Sequence, residues 1–361
     1  MRARHRWDPR CGPPPPLVTP VPRDPSGRHG PTPAQARGPY WRRTAHGLFV
    51  PRHVDGTVPE QRVAEAAALL GAVGAVTGWA ALRLHGGNFF DGVDRDGRTP
   101  LPVPLCLGAS SAHRTRSGVL LLRDRLDPDE IRVVHGIPVT APERATFDAV
   151  RLARDVREAV VALDMAAAAE ITSVERVRSY VDRRAGWKGV RRARRAVALA
   201  DEASRSPNES RLRLIWQLDA RFPRPLVNQP IWDRRGRLLG YADLLDPVAG
   251  VVGEYDGAEH RTALRHSADV DRESRMRDCG LELFRVTGPD LRDPDRVVDR
   301  MRAARARARW LPARRRAWTM TAPEGEEAEL SLDQVLVQRE MVREAEERWQ
   351  AETRVDPPRS A

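Results

Sequence analysis

Apolar residues recur every three or four positions in some stretches of this chain and alternate or cluster in short runs in others, and the two patterns divide it into predicted helices and strands. From Trp41 onward, Gly47–Pro51 reads as a strand, and Val58–Gly71 as a helix with Val63, Ala66, Ala67 and Leu70 on one face. Thr77–Leu84 predicts a second helix. Strand-like runs follow at Leu101–Leu107, Gly118–Arg123 and Val133–Val139, the last with a turn signal at His135-Gly136. Thr140-Ala141-Pro142-Glu143 has the form of a capping box with an early proline, which predicts a helix through Leu152. Helices are expected at Asp155–Glu170, Ser173–Arg184 and Val190–Ala203.

Near Ser204–Pro207 the pattern changes. From there it predicts a helix (Pro207–Ala220), a strand (Leu226–Trp232), a hairpin (Leu238–Asp246 and Gly250–Asp256), a helix (Ala268–Cys279) and a strand (Leu281–Val286). A helix at Asp295–Leu311 then carries Val297, Met301, Ala304, Ala308 and Leu311 on one face, with Pro312 as its stop. The fold class is therefore mixed α/β (α+β), in four segments. Residues 1–40 are rich in Pro, Gly and Arg and expected to be disordered. Residues 41–203 form a helix/strand region, 204–312 a second domain of order αβββαβ, and 313–361 a tail, first basic and then acidic, with a helix signal after Ser331.

The hairpin carries charge where a strand should be apolar. Side chains alternate faces along a strand, so Glu254 and Asp256 leave from one side. If Pro247–Gly250 is a four-residue loop, Asp246 pairs with Val251, and Asp243 falls opposite Glu254 with Cβ atoms roughly 4.5–5.5 Å apart. Two carboxylates at about 4 Å repel by roughly 4 kcal/mol at an effective dielectric near 20, so the pair calls for a cation or a shared proton. A divalent metal held by Asp243 and Glu254 is the expectation.

Composition narrows the partners. The 361 residues carry a formal charge of +11 and are 41% apolar, which suits a globular protein that meets polyanions. DNA, RNA and anionic membranes all qualify, although arginine-rich usage also arises from genome composition. Lys188 is the only lysine. Cys11, Cys106 and Cys279 show neither disulfide pairing nor zinc spacing, and fit a reducing cytoplasm. No stretch reads as a signal peptide or a membrane span.

The order of elements after Ser206, with Glu209, Asp243 and Glu254 in its first three parts, resembles the PD-(D/E)XK nuclease fold. More closely, Ser206–Asp290 is similar to very-short-patch-repair-like endonuclease domains, through Asn208–Leu212, Asp243, Glu254–Gly257, His260, Asp269, Arg272, Met276, Gly280 and Phe284–Thr287. The resemblance implies phosphodiester hydrolysis with Mg²⁺ (or Mn²⁺). Asp243 and Glu254 would be ligands, the Tyr255 carbonyl a third, and Glu209 would orient a water. The motif's lysine position holds Asp256, leaving His260 as the replacement base or acid and Asp256 as an extra ligand. Each has a plainer role too. Glu209 completes a capping box with Ser206, Asp256-Gly257 is a turn pair, and His260 could be a surface histidine.

Residues Gly47–Ala153 resemble the AbiEi antitoxin group, through Gly47–Pro51, Ala75–Gly86 and Gly136–Ala145. Members often begin with a winged helix-turn-helix, of which a wing-like strand is visible. Two functions are expected from this: a metal-dependent DNA endonuclease with an antitoxin-like N-terminal region, or a DNA-binding regulator, with a toxin as protein partner, whose nuclease fold is non-catalytic. Candidate phosphate contacts are Arg191, Arg192, Arg194, Arg195, Arg302, Arg305 and Arg309.

Overall fold

The computed structural model describes residues 17–70, 74–109, 117–257, 263–323 and 330–353. It is a mixed α/β protein with ten α-helices and three sheets among those residues. The chain separates into two compact units, one of Met1–Thr172 with Arg176–Ala196, the other of Ser173–Glu175 with Val197–Ala361.

In the first unit β1 (Val21–Pro22), β2 (Trp41–Ala45) and β3 (Leu48–Pro51) form an antiparallel sheet in the order β1-β3-β2. This corrects the expectation of disorder through residue 40. Val21 pairs with Phe49, and Leu17 packs on the core. The Val18 N–H donates to Gln61 Oε1 (3.0 Å) while its carbonyl accepts from Gln61 Nε2 (2.9 Å). Composition misled because a few long-range bonds to a buried side chain order a segment that could not order itself.

After α1 (Pro59–Ala67), β4 (Ala75–Val76) and α2 (Gly78–Leu84) come β5 (Val103–Cys106), β6 (Val119–Leu122), β7 (Ile131–Val134) and β8 (Ile137–Thr140). The sheet order is β6-β5-β4-β8-β7, with β4 parallel to β8 and β5 parallel to β6. Val63, Trp79, Leu82, Leu105 and Val139 fill its core with Met165. The run expected as one strand at Val133–Val139 is a hairpin: His135 (φ 51°) and Gly136 (φ 76°) make a two-residue turn of the left-handed kind that matches strand twist.

Then follow α3 (Pro142–Leu152), α4 (Val156–Ala168), α5 (Val174–Asp182) and α6 (Val190–Leu199). The capping box predicted for α3 does not form. Its N-cap is Ala141, Thr140 Oγ1 instead donates to Thr77 Oγ1 (2.9 Å), and Glu143 accepts from Thr172 Oγ1 (3.2 Å).

The second unit runs α7 (Pro207–Leu214), β9 (Leu226–Asp233), β10 (Leu238–Asp246), β11 (Val251–Asp256), α8 (Ala263–Asp278), β12 (Glu282–Thr287), α9 (Pro294–Arg307), β13 (Trp318–Thr319) and α10 (Leu332–Thr353). The helix-strand-strand-strand-helix-strand order is as the apolar pattern predicts. Helix α7 loosens into a π-helical turn at Ile215–Asp219, and α9 ends at Arg307, short of the predicted Leu311.

The sheet order is β12-β11-β10-β9-β13, antiparallel except for β11 beside β12. Leu212, Trp216, Val297 and Met301 pack with Leu244, Val251, Phe284 and Val286 on one face, while Met276 of α8 joins Ile231, Leu245, Val252 and Leu283 on the other. Strand β13 corrects the tail boundary at 313: Trp318 pairs with Asp233 and is buried in the sheet's core. Two residues are too short to register as a strand in sequence. Helix α10 docks by its first turns, with Leu336 buried and Asp333 Oδ1 accepting from Ser173 Oγ (2.9 Å), and is exposed from Met341 to Trp349. The acidic Glu324–Glu329 lies outside the described residues.

Candidate active site

The loop Pro247–Gly250 sets the register as its length predicts. Asp246 pairs with Val251, Leu245 with Val252 and Leu244 with Gly253. Asp246 Oδ1 closes the turn by accepting from the Val248 and Ala249 N–H groups, both at 3.0 Å. At the next position, where the register would set Asp243 opposite Glu254, the ladder ends. Asp243 Oδ2 instead accepts the Tyr255 N–H (2.7 Å), so a side chain takes a bond that would otherwise serve the ladder.

Two further carboxylates act on Asp243 there. Burial pushes the Asp243 pKa up to about 7, the neighbouring Glu209 pushes further, and Glu254 adds to it against the opposing effects of the Tyr255 N–H and Arg272. Glu209 reaches the site from the first turn of α7, because Ser206 caps that helix by accepting from the Glu209 N–H (3.2 Å). The Glu209 carboxylate does not return to Ser206. Its Oε2 accepts from the Arg205 N–H and from Asn228 Nδ2, both at 2.9 Å. Asn228 sits at φ 47°, a left-handed conformation that asparagine tolerates within β9. Tyr255 is fixed from the other end, its hydroxyl accepting from Asn208 Nδ2 (2.6 Å).

Glu254 is buried and held by two arginines. Its Oε1 lies 2.9 Å from Arg272 of α8, and its Oε2 lies 3.4 Å from Arg285 of β12. Arg285 stands in direct register with Glu254 on the neighbouring parallel strand and also pairs with Glu273 (3.0 Å). Asp256 ends β11, half-buried and in register with Thr287. His260 lies outside the described residues.

Comparison with known proteins adds no assignment: no family model, curated protein or solved structure matches this chain.

The donors suit a hard divalent ion by charge and chemistry. Among the described residues no three His, Cys, Asp or Glu side chains stand grouped to hold a metal. Mg²⁺ does not require that, since it keeps several waters and takes one or two carboxylates. Asp243 and Glu254 supply two hard oxygen donors, and burial first, with the neighbouring carboxylates after it, raises the Asp243 pKa to about 7.

The predicted phosphate contacts divide. Arg191, Arg194 and Arg195 are exposed on α6, and Arg302 and Arg309 are exposed in the second unit. Arg192 is not a free cation. It caps the end of α3 by donating to the Arg151 carbonyl (2.9 Å) and to that of Ala153. Arg305 is likewise engaged, 2.9 Å from Asp246 with its guanidinium over Phe222 (4.3 Å) and Trp310 (4.9 Å). Helical spacing marks a charged face but not which of its members fold back. Arg272 and Arg285 were visible in sequence as parts of a motif, yet nothing in their spacing places them on Glu254, because a parallel pair is joined through α8. No helix among the described residues is long and apolar enough to cross a membrane.

Proposed function

We propose that the second unit is a metal-dependent DNA endonuclease that hydrolyses phosphodiesters at the Glu209/Asp243/Glu254 cluster. The observation that carries this is the meeting of Asp243 with buried Glu254 where the β10–β11 ladder ends, Asp243 Oδ2 accepting the Tyr255 N–H, and the raised pKa of Asp243 accords with it. Asp243 and Glu254 would hold Mg²⁺ or Mn²⁺. Glu209, oriented by the Arg205 N–H and Asn228, is placed to accept a hydrogen bond from the attacking water. A divalent ion, if held by Asp243 and Glu254, would lower the pKa of that water and offset charge on the scissile phosphate. The exposed Arg191, Arg194, Arg195, Arg302 and Arg309 provide sequence-independent phosphate contacts.

A second reading, a DNA-binding regulator of the toxin–antitoxin kind with a silent nuclease fold, is favoured by the ion pairs that Glu254 already makes with Arg272 and Arg285. One experiment separates the two. The purified protein is incubated with linear, nicked and single-stranded DNA, with and without Mg²⁺ or Mn²⁺, beside Asp243→Ala and Glu254→Ala. Cleavage that needs metal and disappears in both variants supports the nuclease. Salt-sensitive binding that ignores EDTA, with every substrate left intact, supports the regulator.

A further inference from the structure

The arginines on Glu254 occupy the oxygens a metal would use. We propose that Arg272 and Arg285 form a phosphate clamp which, without DNA, is folded back on Glu254 and holds the cation site shut until a phosphodiester draws the guanidinium groups away. The inference rests on the endonuclease reading and adds to it a substrate-dependent order of assembly.

Charge supports it first. Glu254 is paired with both arginines, and Arg285 is shared with Glu273, which Arg277 also pairs, so Arg272 and Arg285 are the cations that answer Glu254 where a metal ion would. A guanidinium on each Glu254 oxygen competes with a metal ion for that carboxylate, because two cations drawn to one acceptor repel each other. The site therefore has two competing fillings.

Access supports it next. The side chains of Arg272 and Arg285 are 27% and 33% exposed, whereas Glu254 is buried. Arg272 is anchored by its stem. A Cβ at Gly240 would lie 2.8 Å from Arg272 Cδ, so glycine opens the lane along β10 through which that stem runs, and Arg272 also donates to the Tyr241 carbonyl (3.1 Å). A planar guanidinium on a packed stem suits bidentate capture of phosphate. The cationic role that a lysine would otherwise fill at Asp256 thus passes to arginines from α8 and β12, which stabilise charge without acting as bases.

The test is Mn²⁺ affinity, followed by the electron paramagnetic resonance of free Mn²⁺, on the full-length protein, Arg272→Gln, Arg285→Gln, Arg272→Lys and Asp243→Asn, each with and without a short phosphorothioate duplex. Without DNA, the two glutamine variants should bind Mn²⁺ about tenfold more tightly than the natural protein, since a competitor of roughly 1.4 kcal/mol has gone. Arg272→Lys keeps the charge and should match the natural protein. The duplex should tighten Mn²⁺ binding by the natural protein and leave the glutamine variants unchanged. Unchanged or weaker Mn²⁺ binding by both glutamine variants, with normal thermal melting, overturns the clamp while the nuclease reading stands. Should a glutamine variant fail to fold, the duplex effect on the natural protein decides, and Mn²⁺ binding that the duplex leaves unchanged overturns the clamp. Mn²⁺ binding by the natural protein no better than by Asp243→Asn, even with the duplex, removes the nuclease reading and the clamp with it.

Discussion

The two units each bury a knot of charge, and the knots are balanced differently. In the first, Arg144 is fully buried and pairs with Asp148 (2.9 Å) and Glu130 (3.1 Å), while donating to the Arg125 carbonyl (2.9 Å) and packing on Trp187. Asp148 also accepts from Arg151 (2.6 Å) and Thr77 (2.6 Å), and Glu130 accepts from Arg184 (2.8 Å) and from Tyr180. With Asp124, which pairs with Arg151, three arginines meet three carboxylates there. In the second unit Asp243 is buried beside Glu209 and Glu254, and burial first, then those carboxylates, raises its pKa. A saturated buried network holds a fold together, whereas carboxylates buried side by side are poised to take up something from solution.

The largest effect should follow from unbalancing the saturated knot. Asp148→Ala leaves Arg144 and Arg151 buried without their shared partner and should cost about 3–5 kcal/mol of stability in urea denaturation. A loss under about 1 kcal/mol would show that the first knot is not saturated after all.

Asp243→Asn should have the opposite sign. Asp243 holds its proton more tightly folded than unfolded, so its contribution to stability is complete below the ordinary carboxylate range and disappears as pH rises through about 7. At higher pH the asparagine variant should therefore be more stable than the natural protein, on the order of 1–2 kcal/mol after allowing for solvent screening, while losing cleavage. Melts of the two proteins across that pH range would have to run parallel to defeat the idea.

Added Mg²⁺ sharpens the contrast further. Because a metal ligand must be deprotonated, Mg²⁺ should raise the melting temperature of the natural protein most above about pH 7 and have little effect on Asp243→Asn. The same titration should leave Asp148→Ala and its parent with equal Mg²⁺ responses.

The smallest expected effects concern surface arginines. Replacing Arg191, Arg194 and Arg195 together should change stability by less than about 0.5 kcal/mol while lowering the salt slope of DNA binding by roughly 2–3. Arg192→Ala, which removes the bonds to the end of α3, should cost about 1 kcal/mol and leave that slope unchanged. Identical behaviour of the two would mean that folded-back and exposed arginines are not distinct classes here.

Much of this architecture was legible along the chain. Period and alternation gave the αβββαβ order, and the four-residue loop at Pro247–Gly250 gave the register that brings Asp243 toward Glu254. These are local properties, fixed by side-chain geometry within a few residues. Capping was legible at Ser206 and illegible at Thr140, because the hydroxyl of Thr140 found a buried partner 63 residues away in Thr77.

The sequence by itself determined which charges lie on the strands and that two of them would meet across a hairpin. Only the tertiary structure decided what faces them. It ended the ladder at Leu244↔Gly253, brought Glu209 in on α7, and set Arg272 and Arg285 against Glu254. It likewise recruited Val21–Pro22 and Trp318 into sheets. The physical reason is common to all of these. A carboxylate's pKa, an arginine's freedom and a short segment's order depend on neighbours brought in through space, which no local pattern encodes.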